Sequence, residues 1–478
     1  MRLVVISNRV PAPTARTGAG GLAVALRDAL SENGGVWFGW SGSHSGERTG
    51  VPSVVNEDNI AFTTLPLTLE DFDVYYCGYA NSVLWPLFHE RLHAMDYQEP
   101  YRQRYDSVNE YFATRAAEVI EPDDTVWIHD YHLIPLAAKL REKGVTCRIG
   151  FFLHIPFPPH DVFRALPERR ALLETFLAYD LVGFQTPGDA RHFGDALARD
   201  LGATVDLTTG RAELKGERVR FDHFPIGIDV EGTSLTALTS RSTQEGQRLT
   251  RALRGRKLVI GADRLDYTKG LVERFQAFEI FLEQHREEMD DQMVYVQITA
   301  PSRENVEEYQ DITLQLEAEA GRINGRNNSI YWTPLRLIEQ QVARDTLLGY
   351  FSLARVGLIT PLRDGMNLVA KEFVAAQTVE DPGVLVLSSM AGAAEELAEA
   401  AVVVNPYNSH HVAEGIYRAI NMPLEERKSR WELGMEALRR NTADIWRENY
   451  LGKLLDAPLS VDSAAVGLQT TSAAPDKA

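Results

Sequence analysis

The amino-acid sequence predicts an α/β protein in which two domains, each a parallel sheet with helices on both faces, face each other. Short apolar or β-branched runs alternate with amphipathic stretches of helical length, which is typical of parallel α/β folds. The chain has 478 residues, too many for one ordinary hydrophobic core. Between residues 225 and 247 the apolar periodicity is lost and Gly, Ser and Thr become frequent. We therefore expect two domains joined in this stretch.

The predicted N-terminal domain spans residues 1–228 and the C-terminal domain residues 229–458, whose last helix could cross back to the first domain. Residues 459–478 are small and polar, and we expect them to be disordered. The predicted strands of the first domain are Arg2–Ile6, Val36–Trp40, Thr125–Ile128, Arg148–Leu153, Leu181–Phe184 and Val219–Phe224. Those of the second domain are Lys257–Gly261, Met293–Thr299, Ser329–Trp332, Val356–Thr360, Val384–Leu387 and Ala401–Val404.

Composition excludes several classes of function. The formal net charge of −18 disfavours nucleic acid or an anionic membrane as a partner, although a local basic patch still permits phosphorylated small molecules. Cys77 and Cys147 are the only cysteines, so we expect no disulfide framework and no thiolate zinc site. The apolar run near the N-terminus is too short for a signal peptide, and no segment reaches transmembrane length. These features predict a cytoplasmic protein.

Polar side chains follow six predicted strands at the point where each strand ends. Open parallel sheets bind ligands outside the carboxyl ends of their strands, so the two facing domains would bring these side chains to one crevice. Single residues in such positions are often only turn formers or helix caps. The polar residues at the six strand ends are Ser7, Asn8 and Arg9 at the first, His129 and Asp130 at the second, and His154, Arg264, Arg303 and Asp364 at the other four.

The segment RDGMNLVAKE, residues 363–372, follows an apolar strand and opens a helix. Gly365 permits a tight or positive-φ turn, and the free amides at the start of the helix suit an anion. The alternative is that Asp364 or Asn367 simply caps the helix, which is worth about 1 kcal/mol. Capping does not explain Glu372, whose carboxylate could accept a hydrogen bond from a sugar hydroxyl.

The segment GADRLDYTKG, residues 261–270, is a second candidate phosphate site. Arg264 and Lys269 can both reach one diphosphate, and charge-assisted hydrogen bonds of about 1.5–3 kcal/mol each would stabilise a leaving group. The alternative is a surface ion pair with Asp263 or Asp266, usually worth under ~1 kcal/mol.

Three other motifs are weaker. Gly18, Gly20 and Ala23 match the G-x-G-x-x-G/A dinucleotide fingerprint, but eleven residues separate Ile6 from Gly18 and no acidic residue closes the second strand. A nicotinamide dehydrogenase is therefore only an alternative, and Gly20 with Gly21 would rather let a loop approach a ligand. The D-x-D of Asp71–Asp73 and the HDYH of residues 129–132 lack further ligands, so we expect no metal. Trp37, Trp40, Tyr76 and Trp85 are expected core aromatics, although such rings also pack against sugars.

Nine segments together resemble the trehalose-6-phosphate synthase family of retaining glycosyltransferases. They are SNRVP, GGLAVAL, WFGWSG, WIHDYHLIPLA, RIGFFLHIPFPP, GFQT, RLDYTKGLVERFQAFE, AGRINGR and TPLRDGMNLVAKEFVAAQ, which match in order between about Arg2 and Tyr450. The resemblance implies two facing Rossmann-like domains (the GT-B fold). It also implies glucose transfer from a nucleotide-glucose, usually UDP-glucose, to the anomeric hydroxyl of glucose 6-phosphate, with no cofactor, by a homodimer or homotetramer.

The resemblance also implies a role for individual residues. The residues expected to bind the acceptor are Arg9, Tyr76, Asp130 and Arg303, with Arg9 and Arg303 on the 6-phosphate. Those expected to bind the donor are Gly20, Gly21, Arg264, Lys269, Val342, Asp364, Gly365, Met366, Asn367, Leu368, Val369, Ala370, Lys371 and Glu372. Among these, Arg264 and Lys269 would hold the diphosphate and Glu372 the ribose. Asp364 would contact the glucose hydroxyls, His154 would hold the donor sugar, and Trp85 with Ile155 would select the α anomer of the acceptor. The expected catalytic set is His154, Arg264, Lys269 and Asp364.

No carboxylate nucleophile is evident, which fits a same-face route in which the leaving phosphate oxygen accepts the proton of the incoming hydroxyl. Val342 stands where some relatives have an aromatic residue beside the nucleotide base, so GDP-glucose and ADP-glucose remain open as donors. Two other functions also remain open, namely a pseudo-glycosyltransferase that joins cyclitol-type substrates and a catalytically silent regulatory relative. The intact Arg264, Lys269, Asp364 and Glu372 argue against the silent relative.

Overall fold

The first sheet of the protein has ten strands. The computed structural model describes residues 2–11, 21–48, 51–302 and 307–457. The strands are β1 Leu3–Arg9, β2 Gly35–Ser45, β3 Ser53–Glu57, β4 Ile60–Thr68, β5 Thr125–His129, β6 Arg148–Phe152, β7 Leu181–Phe184, β8 Thr204–Asp206, β9 Arg211–Leu214 and β10 Glu217–His223. Their order is β3-β4-β2-β1-β5-β6-β7-β10-β9-β8. Strands β4 to β10 in that order pair in parallel, whereas β3 and the β8–β9 hairpin pair antiparallel at the two edges.

The second sheet has six strands, all parallel. They are β11 Lys257–Arg264, β12 Met293–Ala300, β13 Leu335–Ile338, β14 Val356–Ile359, β15 Val384–Ser388 and β16 Val402–Val404. Their order is β13-β12-β11-β14-β15-β16, so the chain starts in the middle of the sheet and reverses direction once. The carboxyl ends of β11 and β14 lie side by side at this switch point, which is where such sheets bind ligands.

Helices connect the strands of both sheets. In the first half they are α1 Gly21–Asn33, α2 Leu69–Asp71, α3 Trp85–Phe88, α4 Glu99–Ala117, α5 Leu136–Glu142, α6 His160–Phe163, α7 Arg169–Thr175 and α8 Pro187–Ala196. In the second half they are α9 Val230–Arg241, α10 Gln244–Leu253, α11 Leu271–Gln284, α12 Arg286–Met289, α13 Glu307–Asn327, α14 Arg344–Phe351, α15 Leu368–Ala375, α16 Ala394–Leu397, α17 Ser409–Asn421, α18 Leu424–Arg440 and α19 Ala443–Leu455. Segments Phe72–Leu84 and Leu197–Leu201 are π-helical, and 3₁₀ turns span Leu92–Ala94, Tyr131–Leu133, Phe176–Ala178 and Tyr267–Lys269. None of the described helices is both long and apolar enough to cross a membrane.

Eleven of the twelve predicted strands overlap an observed strand, and the α/β prediction is confirmed. The strand predicted at Ser329–Trp332 is wrong, because the observed strand is β13, which begins three residues later. Ile330 is 93% and Tyr331 76% exposed, so of these apolar side chains only Trp332 is buried, where its indole donates to the carbonyl of Met293 at 2.7 Å. The apolar pattern therefore came from a surface turn. Both sheets are predominantly parallel, as predicted, with antiparallel pairs only at the two edges of the first sheet among the described strands.

The chain passes twice between the two sheets. It leaves the first sheet after β10 and enters the second at α9, and it returns between α18 and α19. Helix α19 packs on the first sheet, where the ring of Tyr450 stacks on Trp127 at 4.7 Å and Trp446 lies 5.0 Å from the same ring. The hydroxyl of Tyr450 donates to the carbonyl of Phe151 at 3.0 Å. The last described helix thus completes the core of the first half of the chain.

Candidate active site

The carboxyl ends of the two sheets enclose a cavity of about 390 Å³. The cavity is lined by His154, Gln185, Ile226, Asp263, Arg264, Lys269, Asp364, Met366, Asn367, Leu368 and Val369. Residues from both halves of the chain therefore meet here. The four side chains predicted to form the catalytic set all line this one cavity.

Lys269 and Asp364 form an ion pair inside the cavity, with 2.5 Å between Nζ and Oδ2. Both side chains are mostly buried, at 12% and 15% exposure. Burial alone would raise the pKa of Asp364, but the Lys269 ammonium outweighs burial and holds that pKa below its ordinary value. Lys269 does not form the surface ion pair with Asp263 or Asp266 that the sequence left open as an alternative. Asp263 instead accepts a hydrogen bond from Arg274, and Asp266 accepts from Thr268 and Tyr309.

The turn before α15 brings the two domains into direct contact. Gly365 is needed for this close approach, because a Cβ there would lie 2.2 Å from the carbonyl oxygen of His154. The positive φ that we expected at Gly365 is found instead at Asn367, where φ is 87°. Asn367 also caps α15 by accepting from the amide of Ala370 at 3.0 Å, and it donates to Asp364 at 3.0 Å. The capping alternative is thus correct for Asn367, which at the same time orients the cavity carboxylate.

Arg363, the arginine of this turn, points away from the cavity lining. Its Nε lies 3.3 Å from the carboxylate of Glu90 in the first half of the chain. A neighbouring contact joins Arg91 to the hydroxyl of Tyr407 at 3.3 Å. These contacts link the two domains at the front of the cavity.

Lys371 and Glu372 are neighbours on α15, and both are buried, but they contact different parts of the molecule. Glu372 is buried and accepts from Arg344 at 2.8 Å, and Arg344 also donates to Thr233. Burial raises the pKa of Glu372, and the charge of Arg344 opposes that rise. Lys371, predicted with the donor-binding residues, directs its ammonium to Glu396 and to the carbonyl of Ile226. Sequence reasoning missed Arg344, because nothing in its local sequence connects it to Glu372.

Arg264 ends β11 with an exposed side chain. Its guanidinium carbon lies 5.6 Å from the ring centroid of Trp85, which belongs to α3 of the first half. Beneath it, the buried Arg274 donates to Asp263 at 2.6 Å and to the carbonyl of Lys269 at 3.1 Å. Arg274 therefore fixes both ends of the segment that carries Arg264 and Lys269.

His154 is held by two polar partners. The amide of Ile226 donates to Oε1 of Gln185 at 3.0 Å, which leaves the Gln185 amide nitrogen facing Nδ1 of His154 at 3.4 Å. Nδ1 is then the acceptor, so Nε2–H of His154 donates to Nδ1 of His129 at 3.0 Å. Burial lowers the pKa of His154 to about 3 and the pKa of His129 well below its ordinary value. Both rings are therefore neutral near pH 7. The roles of Gln185 and His129 were not predicted.

The predicted acceptor residues of the first domain lie in two separate groups, and the residues within each group contact one another. The Arg9 guanidinium lies 5.8 Å from the ring of Trp40, and that ring lies 6.0 Å from Tyr76. Tyr76 in turn stacks on His132, with ring centroids 5.7 Å apart. Asp130, which has a φ of 74°, accepts from the amide of His154 at 3.2 Å. Trp40 is a buried core residue, as predicted, and its ring also lies beside Arg9 and Tyr76.

The remaining predicted residues either fall outside the described residues or are not among the residues that line the cavity. Gly20 and Arg303 fall outside the described residues, and Gly21 is the first residue of α1. Val342 is partly buried two residues before α14, and Ile155 is buried beside the Gly365 turn.

The two weak metal motifs have other surroundings. Asp71 of the D-x-D is fully buried and pairs with Arg48 and Arg104, while His132 of the HDYH stacks on Tyr76. Within the described ranges, no group of three or more His, Cys, Asp or Glu side chains is arranged to hold a metal ion.

The sequence and the structure both resemble known proteins over nearly the whole chain. The family model of glycosyltransferase family 20 matches residues 6–456. The trehalose-6-phosphate synthase of Citrobacter koseri is 44% identical over 97% of both chains. A UDP-forming α,α-trehalose-phosphate synthase from Burkholderia xenovorans, solved in complex with glucose-6-phosphate, has a TM-score of 0.91 and 44% identity over 95% of this chain and 100% of that one. A structure from E. coli bound with UDP-2-fluoro glucose has a TM-score of 0.90 and 42% identity over 95% of this chain and 99% of that one.

Proposed function

Since the chain belongs to glycosyltransferase family 20, we propose that it transfers glucose from UDP-glucose to glucose 6-phosphate, giving α,α-trehalose 6-phosphate and UDP. The observation that carries this proposal is the grouping of Arg264, Lys269 and Asp364 opposite His154 in one cavity between the domains. The similar structures that hold glucose-6-phosphate and UDP-2-fluoro glucose support the choice of substrates.

The donor diphosphate would bind between Arg264 and Lys269. In the structure the Lys269 ammonium is neutralised by Asp364, so an arriving diphosphate would compete for it and free the carboxylate for the sugar hydroxyls. Arg264 is already held over the ring of Trp85, which limits the freedom it loses on binding. Glu372 would take the ribose, with one carboxylate oxygen fixed by Arg344. The amides that open α15 would add partial positive charge beside the phosphates.

The acceptor would bind against the first domain. Arg9 would hold the 6-phosphate, and Tyr76, which is only partly buried, would contact the sugar. Asp130 would accept from a sugar hydroxyl, and Arg303 would add a second cation for the phosphate.

We propose that transfer proceeds with retention on one face of the sugar. Among the described residues, the carboxylates that line the cavity are Asp263 and Asp364, and each is held by a cation. Arg274 occupies Asp263, and the sugar hydroxyls would occupy Asp364 once the diphosphate takes Lys269, so neither carboxylate would be free to act as the nucleophile. The bond from the anomeric carbon to the phosphate oxygen would break while the bond to the acceptor oxygen forms on the same face. The acceptor's proton would pass to the departing phosphate oxygen. Neutral His154, whose two ring nitrogens face Gln185 and His129, would position the donor sugar by packing against it.

We also propose that the transfer needs no divalent metal, because Arg264 and Lys269 can balance the charge that grows on the leaving diphosphate. Val342 would lie beside the nucleotide base, where some relatives have an aromatic residue, so the donor is best identified by direct comparison.

The test is a panel of UDP-, GDP- and ADP-glucose with glucose 6-phosphate, with and without EDTA, read by release of the nucleoside diphosphate. We expect the highest rate with UDP-glucose, dependence on glucose 6-phosphate, no effect of EDTA, and an α,α-linked product by NMR. The absence of UDP release with both substrates present would overturn the proposal and favour the pseudo-glycosyltransferase alternative. Loss of activity in EDTA would overturn the metal-free mechanism alone.

A further inference from the structure

The buried side chain of Lys371 contacts the segment where the chain crosses between the domains. Lys371 is 0% exposed, and its ammonium donates to the carbonyl of Ile226 at 2.7 Å and to the carboxylate of Glu396. Ile226 belongs to the first crossing, between β10 and α9. The residue before Glu372 on α15 is therefore bound to the segment that leads from one domain to the other.

Glu396 binds the second crossing. Its other carboxylate oxygen accepts from the side-chain amide of Asn441 at 2.7 Å, between α18 and α19. The two crossings also touch each other, since a Cβ at Gly227 would lie 1.8 Å from the carbonyl oxygen of Asn441. Lys371 and Glu396 thus join both crossings by side-chain hydrogen bonds at a point where the backbones are already in contact.

The same connection continues into the first domain. The amide of Ile226 donates to Gln185, and the Gln185 amide nitrogen faces Nδ1 of His154. On the other side, the backbone of Ala393 donates to the carbonyl of Met366 in the donor turn at 2.7 Å, close to Glu396 in sequence. Polar contacts therefore connect the first crossing to His154 of the opposite domain, and the segment that carries Glu396 also contacts the donor turn.

A buried ion pair is rarely kept for stability alone. Removing two charges from water is costly, and apolar side chains of similar size often serve a protein equally well. What a Lys–Glu pair provides is directed hydrogen bonding, which here goes to one backbone carbonyl and one amide of the two crossings. A role in fixing geometry explains the pair better than a contribution to stability.

We propose that Lys371 and Glu396 are positioning residues that clamp the two crossings and so couple occupation of the donor site to closure over the acceptor site. This inference rests on the proposed function. With the clamp, binding of one substrate favours the domain arrangement that binds the other, and by linkage the effect is reciprocal. Without it, each site still binds its own ligand, but neither ligand improves the binding of the other.

The test measures binding of UDP by calorimetry with and without saturating glucose 6-phosphate, for the wild type and for Lys371→Met and Glu396→Gln. In the wild type we expect glucose 6-phosphate to tighten UDP binding by roughly 5- to 150-fold, the usual range of coupling between sites. In both variants we expect this factor to fall close to one. The Kd for UDP alone should change much less, and kcat/KM should fall.

Arg427→Met is the matched control. Arg427 is also a buried cation that binds a carboxylate and backbone carbonyls, namely Asp381, Pro382 and Met422, but all of these lie within the second domain. The control should lower thermal stability and leave the coupling factor at its wild-type value. If Lys371 has only a structural role, Lys371→Met should likewise lower thermal stability and leave the coupling factor at its wild-type value.

The outcomes separate the two proposals. If the wild type neither binds UDP nor releases it from UDP-glucose and glucose 6-phosphate, the proposed function fails. If the wild type turns over but the two ligands bind independently, the clamp is overturned and the function stands. Retention of the coupling factor in Lys371→Met, or in Glu396→Gln if the lysine variant does not fold, also overturns the clamp.

Discussion

Lys269 and Asp364 neutralise each other in the cavity. Two opposite charges in a mostly buried site attract strongly, and their contact keeps both side chains in position. A diphosphate that takes the ammonium changes the state of the carboxylate at the same time. One ion pair therefore links recognition of the phosphate to recognition of the sugar.

Lys269→Gln should remove the charge but keep a polar side chain beside Asp364. We expect kcat to fall at least about 100-fold, the usual loss when one group that stabilises a developing negative charge is removed. Steady-state rates with both substrates measure this loss, and circular dichroism checks the fold.

Lys257→Gln is the control for this substitution. Lys257 begins the same strand, β11, and donates to the carbonyl of Ile420 at 3.2 Å. It lies at the far end of the strand, roughly 20 Å from the cavity end. Its variant should retain the wild-type rate, and a near-normal rate in Lys269→Gln would contradict the diphosphate role.

Helix α15 and the turn before it serve three purposes within ten residues. Asn367 caps the helix and orients Asp364, Glu372 pairs with Arg344 toward the nucleotide side, and Lys371 faces the crossings. This is possible because neighbouring residues on a helix point about 100° apart, so one element reaches several surroundings. The same turn has little freedom to change, since Gly365 contacts the backbone of His154.

Asn367→Gly and Asn367→Ala should differ in stability. Both variants lose the cap, but alanine at a left-handed φ of 87° costs about 1 kcal/mol more, because its Cβ crowds the next carbonyl. We therefore expect the order of stability to be wild type, then Gly, then Ala. Urea unfolding measures the difference, and an alanine variant as stable as the glycine variant would show that φ at this position relaxes.

Stability of the whole molecule should depend on pH through its buried histidines. Burial lowers the pKa of His154 to about 3 and that of His89 to about 4, and lowers the pKa of His129 well below its ordinary value of 6.5. The unfolded chain therefore binds protons below pH 6.5 that the folded chain does not. The stabilising effect is complete above pH 6.5 and is lost as the pH falls toward the folded values.

We expect the free energy of unfolding to fall with acid by up to about 1.4 kcal/mol per pH unit for each of these three histidines. The three histidines together make the free energy of unfolding fall as the pH is lowered from 6.5 to 5.5. In His129→Gln we expect roughly one third of that combined contribution to the slope to be lost. Urea midpoints across this range measure the slope for the variant and the wild type. An unchanged slope would mean that His129 takes up its proton in the folded protein.

For the molecule as a whole, the sequence predicted the residues that line the cavity better than it predicted the contacts that hold them in position. The strand ends that carry His154, Arg264 and Asp364 were predicted to meet at one crevice, and these three residues line one cavity. Arg344 was missed because it reaches Glu372 across 28 positions of sequence, and the direction of Lys371 depends on two distant crossings. The strand predicted at Ser329–Trp332 is wrong for a similar reason. An apolar run in the sequence does not show which of its side chains will be buried by residues distant in the sequence. Partners distant in sequence have no local pattern that predicts them.

Helix α19 has a consequence for how the protein is made. Trp446 and Tyr450 cover one face of the first sheet, yet Ala443 emerges 215 residues after Ile228. At about 5–20 residues per second, the nascent first half waits roughly 10–40 seconds on the ribosome with aromatic surface bare. During that interval this surface is open to chaperones and to other nascent chains.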